Sequence, residues 1–155
     1  MFYPLARWIV WGLLRLTFRV RVEGLENLPR QGSLILAANH ASYIDPPLLG
    51  AATPRRLYFM AKRELFTIPL FGALIRRFGA FPVRRGALDR QAIRSALELL
   101  ARGEAVVLFP EGTRHRSGGL LPGQQGVAML ASRSGAPIVP VGLVGTRRLF
   151  RRLPV

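Results

Sequence analysis

LDRQAIRSALELLARGEAVVLFP, residues 88–110, sets two elements of different period end to end. From Leu88 to Gly103 the pattern is helical: Ile93, Ala96, Leu97 and Leu100 form one stripe, and Arg90, Arg94 and Glu98 occupy another face. Gly103 is placed to stop the helix in a left-handed conformation. EAVVLFP then runs apolar without interruption, which suits a short strand covered on both faces. An amphipathic helix feeding a fully buried strand is the repeating unit of an α/β fold.

Working outward, the same alternation recurs. SLILAAN (33–39), RLYFMAK (56–62), AFPVR (80–84) and PIVPVGL (137–143) read as strands. PPLLGAA opens with proline in the first-turn position of a helix, residues 124–134 read as another, and 68–78 as a third with Phe71, Leu74, Ile75 and Phe78 on one face. FRVRVEG (18–24) alternates Phe18, Val20 and Val22 with Arg19 and Arg21, predicting a half-exposed strand. No repeat, linker or low-complexity tract interrupts the pattern. It predicts one α/β domain, a largely parallel sheet flanked by helices.

The 155 residues suffice for a real core, and with half of them apolar the chain folds. Without cysteine, disulfides, thiolate metal sites and a cysteine nucleophile are excluded. Against 8 acidic residues stand 23 basic ones, of which Lys62 is the only lysine. Such a charge draws in anions: nucleic acid, anionic lipid, phosphorylated ligands or an acidic protein. The arginines are dispersed rather than interleaved with aromatics, which argues against nucleic acid.

At the amino terminus, FYPLARWIVWGLLRLTF is apolar but broken by Arg7 and Arg15. Its uncharged run is far too short for a bilayer span, which takes about 20 residues, and it lacks the features of a signal peptide. As a helix it puts Phe2, Leu5, Ile9, Leu13 and Leu16 on one stripe, with Arg7, Trp11 and Arg15 on another side. Trp8 and Trp11 are the only tryptophans, and Trp beside Arg suits the interface of a bilayer. Residues 1–17 are therefore read as an amphipathic helix lying in a membrane surface, against the plainer alternative of a helix packed on the core.

Ligands of open α/β sheets gather at the carboxyl ends of the strands. Three polar clusters fall there: Asn39, His40 and Asp45 after one strand, Arg84 and Arg85 after another, and FPEGTR (109–114) after a third. His40 and Asp45 admit two readings. One is a turn with Asp45 capping the next helix. The other is a general base whose carboxylate fixes the imidazole tautomer, which requires the segment to bend back on itself. Guanidinium forks match phosphate oxygens, and position at strand ends singles out Arg84 and Arg114 from Arg85, Arg116 and the other arginines. Gly112 and Thr113 add amide and hydroxyl donors, and Glu111 would hold an arginine or meet a substrate hydroxyl. No GxSxG, GxxxxGK[ST] or GxGxxG motif is present, and two histidines with few acids give poor support for a metal. What remains is a base without a nucleophilic side chain, suited to deprotonating a substrate hydroxyl that attacks directly.

These residues resemble the lysophospholipid acyltransferase family, of the 1-acylglycerol-3-phosphate O-acyltransferase type. Its NHxxxxD block matches Asn39, His40 and Asp45; its GxxxxR block, Gly79 to Arg84; its FPEGTR block, Phe109 to Arg114; and its VPV block, Val139, Pro140 and Val141. The four blocks follow the family order and cover nearly all of the chain after the first helix. The resemblance implies transfer of an acyl group from acyl-CoA or acyl carrier protein to a lysophospholipid, foremost 1-acylglycerol-3-phosphate giving phosphatidic acid. His40 with Asp45 would activate the hydroxyl, and no acyl-enzyme would form. Arg84, Glu111, Gly112, Thr113 and Arg114 would bind substrate, supported by Asn39 and Pro140, with no metal and no cofactor beyond the thioester. The helix around Phe66 to Phe78, with the amino-terminal helix, would face lipid. An acidic carrier protein and the cytoplasmic face of the cell membrane are the implied partners, the protein being peripheral or monotopic. Other lysolipid acceptors, or a non-catalytic lipid-surface protein, are the alternatives.

Two departures stand out. Gln124 and Gln125 replace a lysine common in relatives after FPEGTR, and the acyltransferase domain, residues 18–155, is expected to lack its carboxyl-terminal part.

Overall fold

A computed structural model describes residues 2–84, 89–114 and 121–147. Five parallel strands, β1 (Leu34–Ala38), β2 (Leu57–Lys62), β3 (Ala80–Val83), β4 (Ala105–Leu108) and β5 (Ile138–Val141), form one sheet in the order β3-β2-β4-β1-β5. The helices are α1 (Phe2–Thr17), α2 (Asp45–Ala52), α3 (Phe71–Arg77), α4 (Arg90–Ala101) and α5 (Gly126–Ser134).

The continuous apolar runs became the central strands for the expected reason. Leu34, Leu36 and Ala38 of β1 pack with Leu57, Phe59, Ala105, Val107 and Leu49 of α2 on one face of the sheet. On the other face Ile35, Val106 and Leu108 meet Ala96, Leu99 and Leu100 of α4 and Leu130 of α5. Leu34, Ile35, Leu57, Val106 and Val107 have no exposed surface, and each such side chain contributes roughly 1.5–3 kcal/mol by burial. Within the sheet, prolines occur only in the two edge strands, Pro82 in β3 and Pro140 in β5, where a missing N–H leaves no interior ladder broken.

Helix ends follow local chemistry. Asp89 caps α4, its Oδ1 accepting from the N–H groups of Gln91 (3.0 Å) and Ala92 (3.1 Å). Gly103, at φ 76°, ends it as expected. α1 packs on α2 with Leu14 buried and Arg7 Nη1 donating to the Thr53 carbonyl at 2.7 Å. Arg7 lies on the side away from the stripe, as expected, and that side packs on the domain. Leu5, Trp8, Ile9, Leu13 and Leu16 are exposed together.

Two expectations fail. Residues 18–24 show the expected half-exposed alternation near Phe18 and Val20, yet they join no ladder, and the Val20 N–H turns back to the Phe18 carbonyl at 2.9 Å. Alternation reports which side of an extended chain is covered; a strand also needs a hydrogen-bonding neighbour. The helix over 68–78 begins only at Phe71, because Pro69 disfavours helical geometry at Ile68 and Leu70 takes φ 60°. Its buried residue is Gly72, so close to Phe66 that a Cβ there would lie 2.6 Å from the Phe66 carbonyl oxygen. Phe71 and Leu74 consequently point outward with Ile68 and Leu70.

Candidate active site

The parallel register brings the ends of β1, β4 and β5 level: Ala37 pairs with both Leu108 and Pro140, and Ala38 with Val141. Pro140 thus lies one residue below the edge of the sheet, beneath the loops that leave it. The Asn39 side chain continues the register beyond the strands. Its Nδ2 donates to the Leu143 carbonyl at 2.9 Å and its Oδ1 accepts from the Leu143 N–H at 2.6 Å. The loops after β1 and β5 are therefore locked together.

Residues 40–45 fold back on a single carboxylate oxygen. Asp45 has no exposed surface. Its Oδ2 accepts from His40 Nδ1 at 2.9 Å and from the N–H groups of Ala41 and Ser42, each at 2.7 Å. It makes no side-chain bond to the amides of the helix it begins, so the capping alternative is not what the loop does. With a carboxylate at Nδ1 the ring proton belongs there, and the Nε2 lone pair is left without a protein partner among the described residues. Burial alone pushes the Asp45 carboxyl up. The bonds from His40 and the Ser42 N–H, the nearby Thr146 hydroxyl and the Ala41 N–H together outweigh burial and hold it below the usual carboxylate value.

Two residues of the 109–114 turn complete the setting of His40. The Phe109 ring stacks on the imidazole, centroids 4.1 Å apart. Glu111, buried, accepts the His40 N–H at 3.2 Å through Oε1 and the Leu121 N–H at 3.3 Å through Oε2. Among the described residues Glu111 braces backbone amides rather than holding an arginine, a correction that follows from its burial. Gly112 sits at φ 66°, and a Cβ there would collide with the Gln124 side chain. Thr113 is exposed beside it, and Arg114 lays its guanidinium over the Tyr43 ring at 3.4 Å.

Arg84 stands apart from the histidine. Its backbone N–H is held by Asp89 Oδ2 at 2.8 Å, and it lines an open cleft of about 610 Å³ with Gly112, Gln124, Ile93, Leu108 and Met129. Phe109, whose ring stacks on His40, also lines this cleft. Arg85, His115 and Arg116 lie outside the described residues. No three His, Asp or Glu side chains among the described residues gather to hold a metal.

Sequence reading missed Tyr43, Thr146 and the ring of Phe109 as parts of the site. Phe109 and Tyr43 lie inside motifs whose chemistry-bearing members are polar, and an aromatic ring there reads equally as packing. Thr146, buried beyond β5, carries no local signal; its proximity to Asp45 arises only from tertiary structure.

The sequence profile of the family described as "Acyltransferase" matches residues 19–144. The chain is 33% identical over 144 residues to a 1-acyl-sn-glycerol-3-phosphate acyltransferase of Bacillus subtilis, covering 90% of this chain and 71% of that one. It is 38% identical over 138 residues to the lyso-ornithine lipid O-acyltransferase of Pseudomonas aeruginosa, covering 86% and 52%. The crystal structure of the 1-acyl-sn-glycerophosphate (LPA) acyltransferase PlsC from Thermotoga maritima superposes with a TM-score of 0.77 at 32% identity, covering 94% of this chain and 60% of that one. The chain spans only 39% and 38% of the length of two plant relatives that it also matches.

Proposed function

Because the chain belongs to the acyltransferase family, we propose that it moves a fatty acyl group from an acyl thioester to the free hydroxyl of a lysophospholipid, foremost 1-acylglycerol-3-phosphate. The observation that carries this reading is the 2.9 Å contact of His40 Nδ1 with a fully buried Asp45, which leaves Nε2 as the base.

In the proposed reaction Nε2 takes the hydroxyl proton as the oxygen attacks the thioester carbonyl carbon. Asp45 stabilises the imidazolium. The tetrahedral intermediate collapses with cleavage of the C–S bond, and the departing sulfur takes the proton back, giving an ester and a free thiol. No side chain is acylated. Arg114, with Gly112 and Thr113, takes the acceptor's phosphate, and Arg84 adds charge from the cleft side. The apolar wall of that cleft, Ile93, Leu108 and Met129, suits an acyl chain. The net charge of +15 favours coenzyme A or an acidic carrier protein as the donor's anionic handle. No helix among the described residues is long and apolar enough to cross a membrane, and the exposed stripe of α1 suits attachment to a lipid surface, here the cytoplasmic face.

The similarity to the lyso-ornithine lipid enzyme, with glutamine at 124 in place of a cation, favours a second acceptor class lacking phosphate. Incubating the protein with radiolabelled acyl-CoA or acyl carrier protein and a panel of lysophosphatidate, other lysophospholipids and lyso-ornithine lipid separates these readings. Absence of labelled product with every acceptor and both donors would sink the acyl-transfer assignment.

A further inference from the structure

The contact between Arg114 and Tyr43 joins two motifs that the proposed reaction treats separately. Tyr43 sits between His40 and Asp45, in the loop whose shape is set by the three bonds to Asp45 Oδ2. Its ring is 66% exposed, so it fills no core position. Arg114 lies half-buried after the 109–113 turn, and among the described residues the guanidinium has no hydrogen bond or ion pair; the Tyr43 face at 3.4 Å is its contact. A ring against the face of a guanidinium leaves its N–H groups, which lie in the plane, free for an incoming anion. It also removes the rotamer freedom that a solvated arginine would otherwise lose on binding.

We propose that Tyr43 is a positioning residue: it holds the Arg114 fork ready for the acceptor's phosphate and, because it belongs to the His40–Asp45 loop, fixes the distance between that anchor and the base. This rests on the acyl-transfer reading for its substrate but not for its binding test. An anionic acceptor bound through Arg114 is then registered with its hydroxyl at Nε2, and a phosphate-free acceptor gains nothing from the stack.

The test is calorimetric binding of hexanoyl lysophosphatidate, below its micelle concentration, to the full chain, followed by steady-state turnover. Tyr43→Ala weakens binding roughly two- to thirtyfold, the range that cation–π contacts span. Tyr43→Phe, which keeps the ring, retains wild-type binding, and Tyr43→Ala adds nothing to Arg114→Ala. In turnover the Tyr43→Ala loss appears in KM for the phosphate acceptor and leaves KM for the thioester unchanged. Wild-type binding by Tyr43→Ala, an equal loss with Tyr43→Phe, or additive losses in the double variant overturns the proposal, as does failure of the wild type to bind the probe. If the binding pattern holds while no acyl group is transferred, the reaction assignment falls and the role of Tyr43 stands.

Discussion

The Phe109 ring lies nearly flat on the His40 imidazole, centroids 4.1 Å apart and planes inclined by 23°. The two residues leave the sheet from adjacent strands, β4 and β1, whose last pair is Ala37 with Leu108. His40 is therefore held at three points: its face by Phe109, its N–H by Glu111 and its Nδ1 by Asp45. An imidazole fixed in this way would need little reorganisation if, as proposed, charge develops on it, which is where positioned proton transfer gains its advantage.

On the proposed mechanism His40→Ala lowers kcat by about 10²–10⁴-fold, the usual contribution of a general base. Folding should survive, because the ring is held at the end of the sheet rather than within its core. Asp45→Asn is expected to damage both turnover and stability. An amide oxygen can still accept from Ala41 and Ser42, but it no longer stabilises the imidazolium, and its NH₂ enters a buried site. Near-normal turnover by purified, folded His40→Ala protein rules out the base role.

Arg114→Ala should raise KM for a phosphate acceptor by roughly ten- to hundredfold, the cost of about 1.5–3 kcal/mol for a charged hydrogen bond. Arg84→Ala should do less, since Arg84 is exposed and follows β3, which β2 and β4 separate from the strand before His40. Initial-rate kinetics with both substrates varied separates the effects. Equal rises for acceptor and thioester point to misfolding instead.

Much of this arrangement was legible in the chain, and the reasons differ by element. β1 and β4 were readable because a strand buried on both faces has to be apolar throughout, and α4 because its stripe and its glycine stop agree; its Asp89 cap came only with the structure. Residues 18–24 were misread as a strand and 68–78 in where its helix starts. An alternating segment found no ladder, and the helix waits until Phe71 because Leu70 takes φ 60°. In the site, His40, Asp45 and Arg114 announce themselves by chemistry. The Asn39–Leu143 clamp and Thr146 beside Asp45 join residues about a hundred positions apart, and no spacing rule reveals them.

Acid sensitivity follows from two carboxyls held below their ordinary value. For Asp89 the largest cause is the Arg84 N–H, followed by that of Ala92; for Asp45 the combined hydrogen bonds override burial. A carboxyl whose pKa falls on folding binds fewer protons in the native state. Its stabilisation is complete above the unfolded value near 3.8 and is lost as pH falls through the lower native value. Melting temperature should therefore hold steady with respect to these groups from neutrality to about pH 5 and drop below that. Asp89→Asn keeps a capping oxygen but removes one titration, so its acid limb should be shallower than that of the wild type. Asp89→Ala loses the cap as well, at about 0.5–2 kcal/mol at neutral pH. An unchanged acid limb in Asp89→Asn counts against this account.

The structure divides α1 into two working faces and sharpens the test of membrane attachment. Leu14 is buried, Trp11 is half-buried and Arg7 bonds the Thr53 carbonyl, so this side belongs to the domain. Trp8 and Leu13 are 64% and 59% exposed on the stripe with Leu5, Ile9 and Leu16. Changing Trp8 and Leu13 together to Glu should release the protein from anionic liposomes in a flotation assay while leaving its melting temperature within a degree or two. Leu14→Ala should do the reverse, lowering stability by about 2–5 kcal/mol with the exposed stripe intact. Salt should weaken attachment only in part, because screening acts on the arginines and not on buried apolar surface. Complete release by salt alone would mean adsorption of a basic domain without insertion. A sharp loss of stability in the Trp8/Leu13 variant would show that this face packs against protein rather than lipid.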